Sequence, residues 1–520
     1  MTNTKNTTAV SVYRPIVAVS LSMLFSLLVL AYITSRLGAA ASLGVAILVG
    51  VGLVMVLWPE MATLAVMFVL YSNLAVVAVR QFHVNEWVAA LGALPLSIPL
   101  ASYLLVRRVR IKTGLPLVLM VVFLICMMLS SFFAKDPGLA AERITTYLLE
   151  GLLLYFLVFN VIRDMTTLKR VLWVLVLGAA FLGSLSLYQA ATGSYDQQFG
   201  GLAQRNLSLE EETDQTPDKF GHKKTTVHLA DRSGGPIGGP NRYAQNELMV
   251  LPFALFLLWH EKSRLGRLVA AGSAGLILSA ILLSYSRGAF VTLGVMLFLF
   301  AVAQKRHRVP VLAGGVILFV LALILAPGYS ARMGTLLGVE GLLSDTASVR
   351  PDSVTRGRTT EMLAALHVFL DYPVFGVGPG QYAPFYSMAY HMNPEIALRV
   401  VAKTRRAHSL YAELAAETGI VGLIVFFSIV GLILHHLWQA RRRWSYGRPD
   451  LAQLATAFVF SILAYLGTAV FLHLSYERYY WLLLAVASAA LQIGYAEYQA
   501  KRSVEPVRSA LVRSSRRLTH

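Results

Sequence analysis

Three widely separated stretches hold polar residues of a kind that does chemistry. Lys403 to Gly422 reads KTRRAHSLYAELAAETGIVG, a charged loop carrying His408 that runs straight into an apolar helix. Ser284 to Phe290 reads SYSRGAF and sets Arg287 in a nearly loop-free turn between two apolar runs. Arg232 stands in DRSGGPIGGPNRYAQNE, Asp231 to Glu247, just ahead of a third apolar run. A guanidinium fork holds phosphate oxygens two at a time, and two such forks near a low-dielectric boundary favour the negative charge that grows on a departing pyrophosphate. An imidazole takes the proton from an incoming hydroxyl without any metal. The set therefore suits transfer from a lipid pyrophosphate to a hydroxyl, provided that folding brings all three residues to one side of a bilayer. Taken singly, each has a plainer reading. A histidine at a helix start is often a cap, and a loop arginine often meets lipid phosphates.

The elements that must position these residues are membrane helices. With 56% apolar and only 14% charged residues in a chain of 520, the composition excludes a soluble multidomain protein. Apolar runs of roughly 17 to 22 residues recur, each about enough to cross a hydrocarbon core as a helix. In order they fall at 14–34, 38–58, 60–79, 87–106, 114–133, 145–162, 171–190, 246–260, 268–285, 289–304, 309–326, 419–438, 453–472 and 480–497, which makes about 14 transmembrane helices of an all-α integral membrane protein. The first is expected to be an uncleaved anchor, because hydrophobic spans continue directly behind it. The lone cysteine, Cys126, lies inside an apolar run and reads as a buried thiol.

Basic residues set the orientation, since they stay on the cytoplasmic side of short loops. Arg107, Arg108, Arg110 and Lys112 share one loop; Arg163, Lys169 and Arg170 share the next but one. Lys262, Arg264 and Arg267, then Lys305, Arg306 and Arg308, then Arg441, Arg442, Arg443 and Arg448, continue the register to a basic tail. Both termini are expected inside. The net charge of +18 is thus dealt out loop by loop, as contact with anionic lipid heads requires and a nucleic-acid surface does not. The register places Arg232, Arg287 and His408 together on the outer face, and Arg287 there runs against the inside preference.

The same register exports two long segments. The chain divides into helices at 1–190, an outer loop at 191–245, helices carrying the SRGA motif at 246–326, a larger outer loop at 327–418, C-terminal helices at 419–497 and a basic tail at 498–520. In the first loop, Glu210, Glu211, Glu212 and Asp214 lack the turn glycine and spacing of a calcium loop, so a solvated, mobile segment is expected, with no metal. The glycines and prolines of 234–240 stand where the chain re-enters the membrane and suit a bent, re-entrant stretch; no Lys-Ser or Lys-Thr follows them, which excludes a nucleotide P-loop. In the second loop, Met362, Leu363, Leu366, Val368 and Phe369 give a short apolar face expected to lie along the bilayer surface, followed by a turn at Gly376, Gly378, Pro379 and Gly380.

Three pieces, RSGGPIGGPNRYAQNE leading into LPFALFLL, LLSYSRGAFVTLG, and RGRTTEMLAALHVFLDYPVFGVGPGQY paired with AHSLYAELAAETGIVGLI, resemble the O-antigen ligase and O-antigen polymerase superfamily across roughly 230–435. The resemblance implies a multispanning bundle of GT-C type with two long periplasmic loops in the bacterial inner membrane. It implies inverting, metal- and cofactor-free transfer of a glycan from an undecaprenyl pyrophosphate carrier to a sugar hydroxyl at the periplasmic face. The acceptor would be another glycan or lipid A core. Carried onto this chain, it makes His408 the general base and Arg232 and Arg287 the pyrophosphate holders, with Arg358 assisting. Ser286 would orient Arg287, and Tyr411 and Glu413 would flank the histidine, although helical spacing fits packing roles for these two equally well. The chain departs from the family pattern in carrying Ser409 where asparagine is usual, and about 14 spans exceed the 12 commonly associated with the ligases. Membrane lipids and the two glycan substrates are the expected partners, and nucleic acid is not. A protein O-oligosaccharyltransferase needs the same base and clamp. A transporter would instead place charge at mid-membrane in broken helices of matching halves, whereas here the distinctive charges gather at one surface.

Overall fold

The structure, a computed structural model, describes residues 57–83, 93–217, 223–303, 353–393, 396–398, 404–473 and 477–517, together with 50, 309, 312–316 and 320. The chain divides into two compact units, one of Met1–Thr63 with Pro95–Arg110 and one of Leu64–Leu94 with Ile111–His520. The elements, in order, are α1 (Pro59–Tyr71), α2 (Leu74–Phe82), α3 (Ser97–Ala101), α4 (Leu115–Ser131), α5 (Pro137–Val161), α6 (Met165–Thr192), β1 (Arg205–Pro217), β2 (Lys223–Ser233) and α7 (Pro240–His260). They continue with α8 (Arg264–Leu283), α9 (Arg287–Ala303), α10 (Ser353–Asp371), α11 (Ser387–His391), α12 (Leu410–Trp444), α13 (Pro449–Thr468) and α14 (Glu477–Arg517). In the smaller unit, α3 runs on through a wider turn at Ser102–Val106, and Arg107 lies 5.0 Å over the Tyr103 ring.

Among the described residues, six helices are long and apolar enough to cross a membrane: α5, α6, α8, α12, α13 and the Arg478–Lys501 part of α14. A seventh crossing would come from α1 and α2, bent by 54° at a break near Asn73. The chain is therefore an all-α, multi-pass membrane protein, with one β-hairpin among the described residues. The expected spans at 14–34, 38–58, 87–106 and 309–326 lie wholly or partly outside the described residues. The tail from 498 continues α14 as helix through Arg517.

The larger unit is built around α7, which is buried almost all round from Tyr243 to Leu257. A helix apolar on every face belongs inside a bundle, and α7 packs between α8 and α13. Residues Tyr479 to Ala490 of α14 are buried in the same way, against α5. The exported segment at 191–245 is not a plain mobile loop. It forms an antiparallel hairpin in which Asn206 pairs with Arg232, and a buried turn at Gly235–Ile237 then leads into α7, with Pro240 at the first helical position.

The element that shapes the site is α12, which is broken at Gly419. Its backbone there, φ 63° and ψ −166°, belongs to a region open in practice to glycine alone. The segment Pro373 to Gly378 fills the break with strand-like bonds. Val377 N donates to Ala416 O (2.9 Å), Gly378 N to Glu417 O (3.0 Å) and Ile420 N to Pro373 O (2.8 Å). Ser130 Oγ of α4 lies 2.6 Å from both Phe375 O and Glu417 O. Backbone groups freed by the break are thus satisfied without water, as the interior of a bilayer demands. The turn at Gly376 to Gly380 is this insert. The helix expected at 362–369 is present as part of α10, but it packs Ala365 and Val368 against Ala412 and Ala416 of α12, while Leu366 and Leu370 are exposed.

Candidate active site

Arg232, at the end of β2, is the brace on one side. Its side chain is buried; Nε donates to Ser284 O (2.9 Å) and Nη2 to Asn241 Oδ1 (3.1 Å) and Tyr285 O (3.3 Å). The hairpin is thereby pinned to the turn between α8 and α9, where Tyr285 takes the left-handed conformation (φ 51°). Ser286 Oγ accepts from Ala289 N (3.4 Å) and caps α9, whose first residue is Arg287. The serine therefore acts on Arg287 through the helix start. The next residue, Gly288, abuts Phe471: a Cβ there would stand 3.0 Å from the ring. Arg287 is in this way set against the turn that follows α13.

His408 lies across that turn. Its ring meets His473 edge-on at 5.7 Å between centroids, and Arg242, next in sequence to Asn241, donates from Nη2 to His473 O (2.9 Å). Arg232 and His408 are thus linked through Asn241, Arg242 and His473. On its other side, His408 Nε2 is 3.4 Å from Oε2 of Glu361, a fully buried carboxylate of α10 that also meets Arg405 Nη1 at 3.3 Å. His408 Nδ1 is buried with no hydrogen-bond partner. Burial pushes the His408 pKa down to about 3, helped by the surrounding charges of Arg358, Arg405, Arg242 and Arg406. His473 is pushed well below its ordinary value too, first by burial and then by Arg406 and Arg242. Both imidazoles are neutral at physiological pH.

Of the flanking residues, Glu413 acts on the loop. It accepts from Arg406 Nε (2.8 Å) and from Ala407 N (3.1 Å), fixing the residues before His408, which itself sits in the left-handed region (φ 47°). Tyr411 turns away, and its hydroxyl donates to Leu466 O of α13 (2.7 Å). Ser409 is the helix cap of α12, its side chain accepting from Ala412 N (3.5 Å). Arg358 lies on α10 with Glu361, close enough for its charge to bear on His408. The arrangement is a neutral base among the charges of four guanidinium groups, with Arg232 linked to it through Asn241, Arg242 and His473.

Residues 272–427 match the family model described as O-antigen ligase. With just under a third of the chain matched, the comparison supports the O-antigen ligase superfamily for that segment. The matched segment takes in Arg287, Arg358, Glu361 and His408; Arg232, Arg242 and His473 lie outside it and join through the contacts above. No curated protein matches the chain. The match supports a membrane enzyme of the O-antigen ligase or polymerase type in general terms, a family that implies a glycan-linked lipid donor and a glycan acceptor.

Sequence reasoning passed over Glu361, Arg242 and His473. Signals existed for two of them. Arg242 lies inside the same glycine-rich stretch as Arg232, and His473 ends an apolar run on the face already assigned to His408. Glu361 carried none, because an acidic residue in an amphipathic helix reads as solvated until α10 is packed on α12.

Proposed function

We propose that the chain catalyses metal-independent, inverting transfer of a glycan from undecaprenyl pyrophosphate to a sugar hydroxyl, at the periplasmic face of the inner membrane, within a GT-C-type bundle of about 14 helices. His408 takes the proton of the acceptor hydroxyl as its oxygen attacks the anomeric carbon. The bond from that carbon to the pyrophosphate oxygen breaks, and the electron pair leaves with the pyrophosphate. Arg287, Arg358 and Arg232 hold the leaving group and answer its growing charge. The observation that carries the reading is the neutral His408 imidazole, buried with an unpartnered nitrogen among Arg358, Arg405, Arg242 and Arg406. Such a cluster of like charges has a purpose once a polyanion enters it. Ligation to lipid A core and polymerisation of repeat units use this chemistry alike.

The test is transfer by purified protein given an undecaprenyl pyrophosphate glycan and an acceptor sugar, in EDTA. Glycosidic bond formation is expected, and His408→Ala should lower it by ~10²–10⁴-fold with the fold intact. Loss of activity in chelator that magnesium restores would overturn the metal-free reading and return attention to Glu210–Asp214.

A further inference from the structure

We infer that Glu361 is a positioning residue that holds His408 as its Nε2–H tautomer, so that Nδ1 is the atom that takes the acceptor proton. The inference rests on the reading of His408 as the base. An ionised carboxylate only accepts hydrogen bonds, so an imidazole nitrogen facing one carries the hydrogen. Here Nε2 lies 3.4 Å from Glu361 Oε2, at ion-pair distance and without a formed hydrogen bond, while Arg405 Nη1 meets the other oxygen at 3.3 Å. A neutral imidazole has one hydrogen, which leaves the lone pair on Nδ1. That nitrogen is buried and without a partner, the state expected of a base awaiting its substrate.

The geometry is held from both sides. Glu361 is fully buried on α10, and Tyr382 Oη donates to its backbone carbonyl at 2.9 Å. The His408 backbone is trapped between Ala407, fixed by Glu413, and the Ser409 cap. The groups facing the imidazole are Arg358 and Glu361 from α10, Arg405 and Arg406 from the loop, Arg242 from α7 and His473 from the turn after α13. Five of these are cationic or neutral and favour the uncharged ring. Glu361 favours the imidazolium, which forms only when Nδ1 gains the hydroxyl proton. The logic is that of the aspartate behind a catalytic histidine in serine hydrolases, with Glu361 in that place.

The full-length protein with ¹⁵N-histidine, reconstituted in lipid nanodiscs, tests this by solid-state NMR, the His408 signals being assigned by their loss in His408→Gln. The expected spectrum shows neutral His408 with hydrogen on Nε2, shifting toward the other tautomer in Glu361→Gln. A wild-type Nδ1–H tautomer would overturn the inference, and needs no variant to fold. In the transfer assay, replacing His408 with Nδ1-methylhistidine should cost ~10²-fold or more, and Nε2-methylhistidine at least ~10-fold less than that. The reverse order would sink the role given to Nδ1 and leave His408 as base. Full activity of His408→Gln would instead remove the base itself.

Discussion

Arg232 and Arg287 carry the same charge and different duties, and their alanine variants should separate. Arg232 bonds two carbonyls of the α8–α9 turn and Asn241, so Arg232→Ala leaves buried acceptors unpaired at about 1–3 kcal/mol and should lower Tm together with donor use. Arg287→Ala should raise the KM for donor with Tm nearly unchanged, as read by thermal melting alongside kinetics. The depressed pKa of His408 has its own consequence. The base is neutral down to a pH of about 3 in the empty enzyme, so kcat/KM should hold through mild acid; bound pyrophosphate offsets the arginines and raises that pKa, so the acid limb of kcat should lie at higher pH. Linkage gives the matching sign for stability. Unfolded chains bind a proton at His408 between its ordinary pKa near 6.5 and 3 while the folded protein does not, so stability falls as pH drops through that window, and His408→Gln should flatten the loss. His408, Arg232 and Arg287 stood out in the sequence as charge at the end of an apolar run, and the structure links the first two through Asn241, Arg242 and His473, although Arg232 itself braces the α8–α9 turn. Glu361 was illegible because its meaning depends on which helix covers it.

At the scale of elements, the chain breaks one long helix and mends it with a loop from another. Gly419→Ala would place Cβ 2.3 Å from Val374 O in a conformation closed to alanine, and Gly376→Ala would place one 2.5 Å from Glu417 C. Each should cost about 1–3 kcal/mol, and each should loosen α10 from α12 and so impair transfer beyond the change in Tm. Ser130→Ala, which only removes the hydroxyl bridging Phe375 and Glu417, should cost about 1 kcal/mol and keep most activity. The span at 419–438 matched the second half of α12 because apolar length is written in sequence; the first half, Leu410 to Thr418, was hidden by its charges. The glycines of 376–380 announced a turn, but not that the turn completes a helix in another part of the chain. The hairpin was missed for a related reason: β1 and β2 are polar, and their base is held by Arg232 at the α8–α9 turn and by Asn206 at Gly238 O, contacts that the sequence does not show.

For the whole molecule, the register of basic loops places His408 and Arg441–Arg443 on opposite faces, at the two ends of α12. Tyr446, beyond the arginines, is 99% exposed, and the native Cys126 is buried, so Cys126→Ser gives a clean background for labelling. In intact cells stripped of their outer membrane, Tyr446→Cys should react with an impermeant maleimide only after permeabilisation, whereas a cysteine at exposed Thr404 should react at once. Reaction of the Tyr446→Cys protein from outside would overturn the proposed topology, and protection of the cysteine at Thr404 as well would invert it.

The mended break in α12 also joins two parts of the molecule that answer to different surroundings. After Gly419 the helix exposes Ile420, Ile424 and Phe427, a surface suited to acyl chains; before it, the same backbone carries His408 and, through the inserted loop, the helix bearing Glu361. Squeezing or thinning the surrounding lipid therefore acts on a lever whose short arm is the imidazole–carboxylate pair, and catalytic rate should follow acyl-chain length even when substrate supply does not.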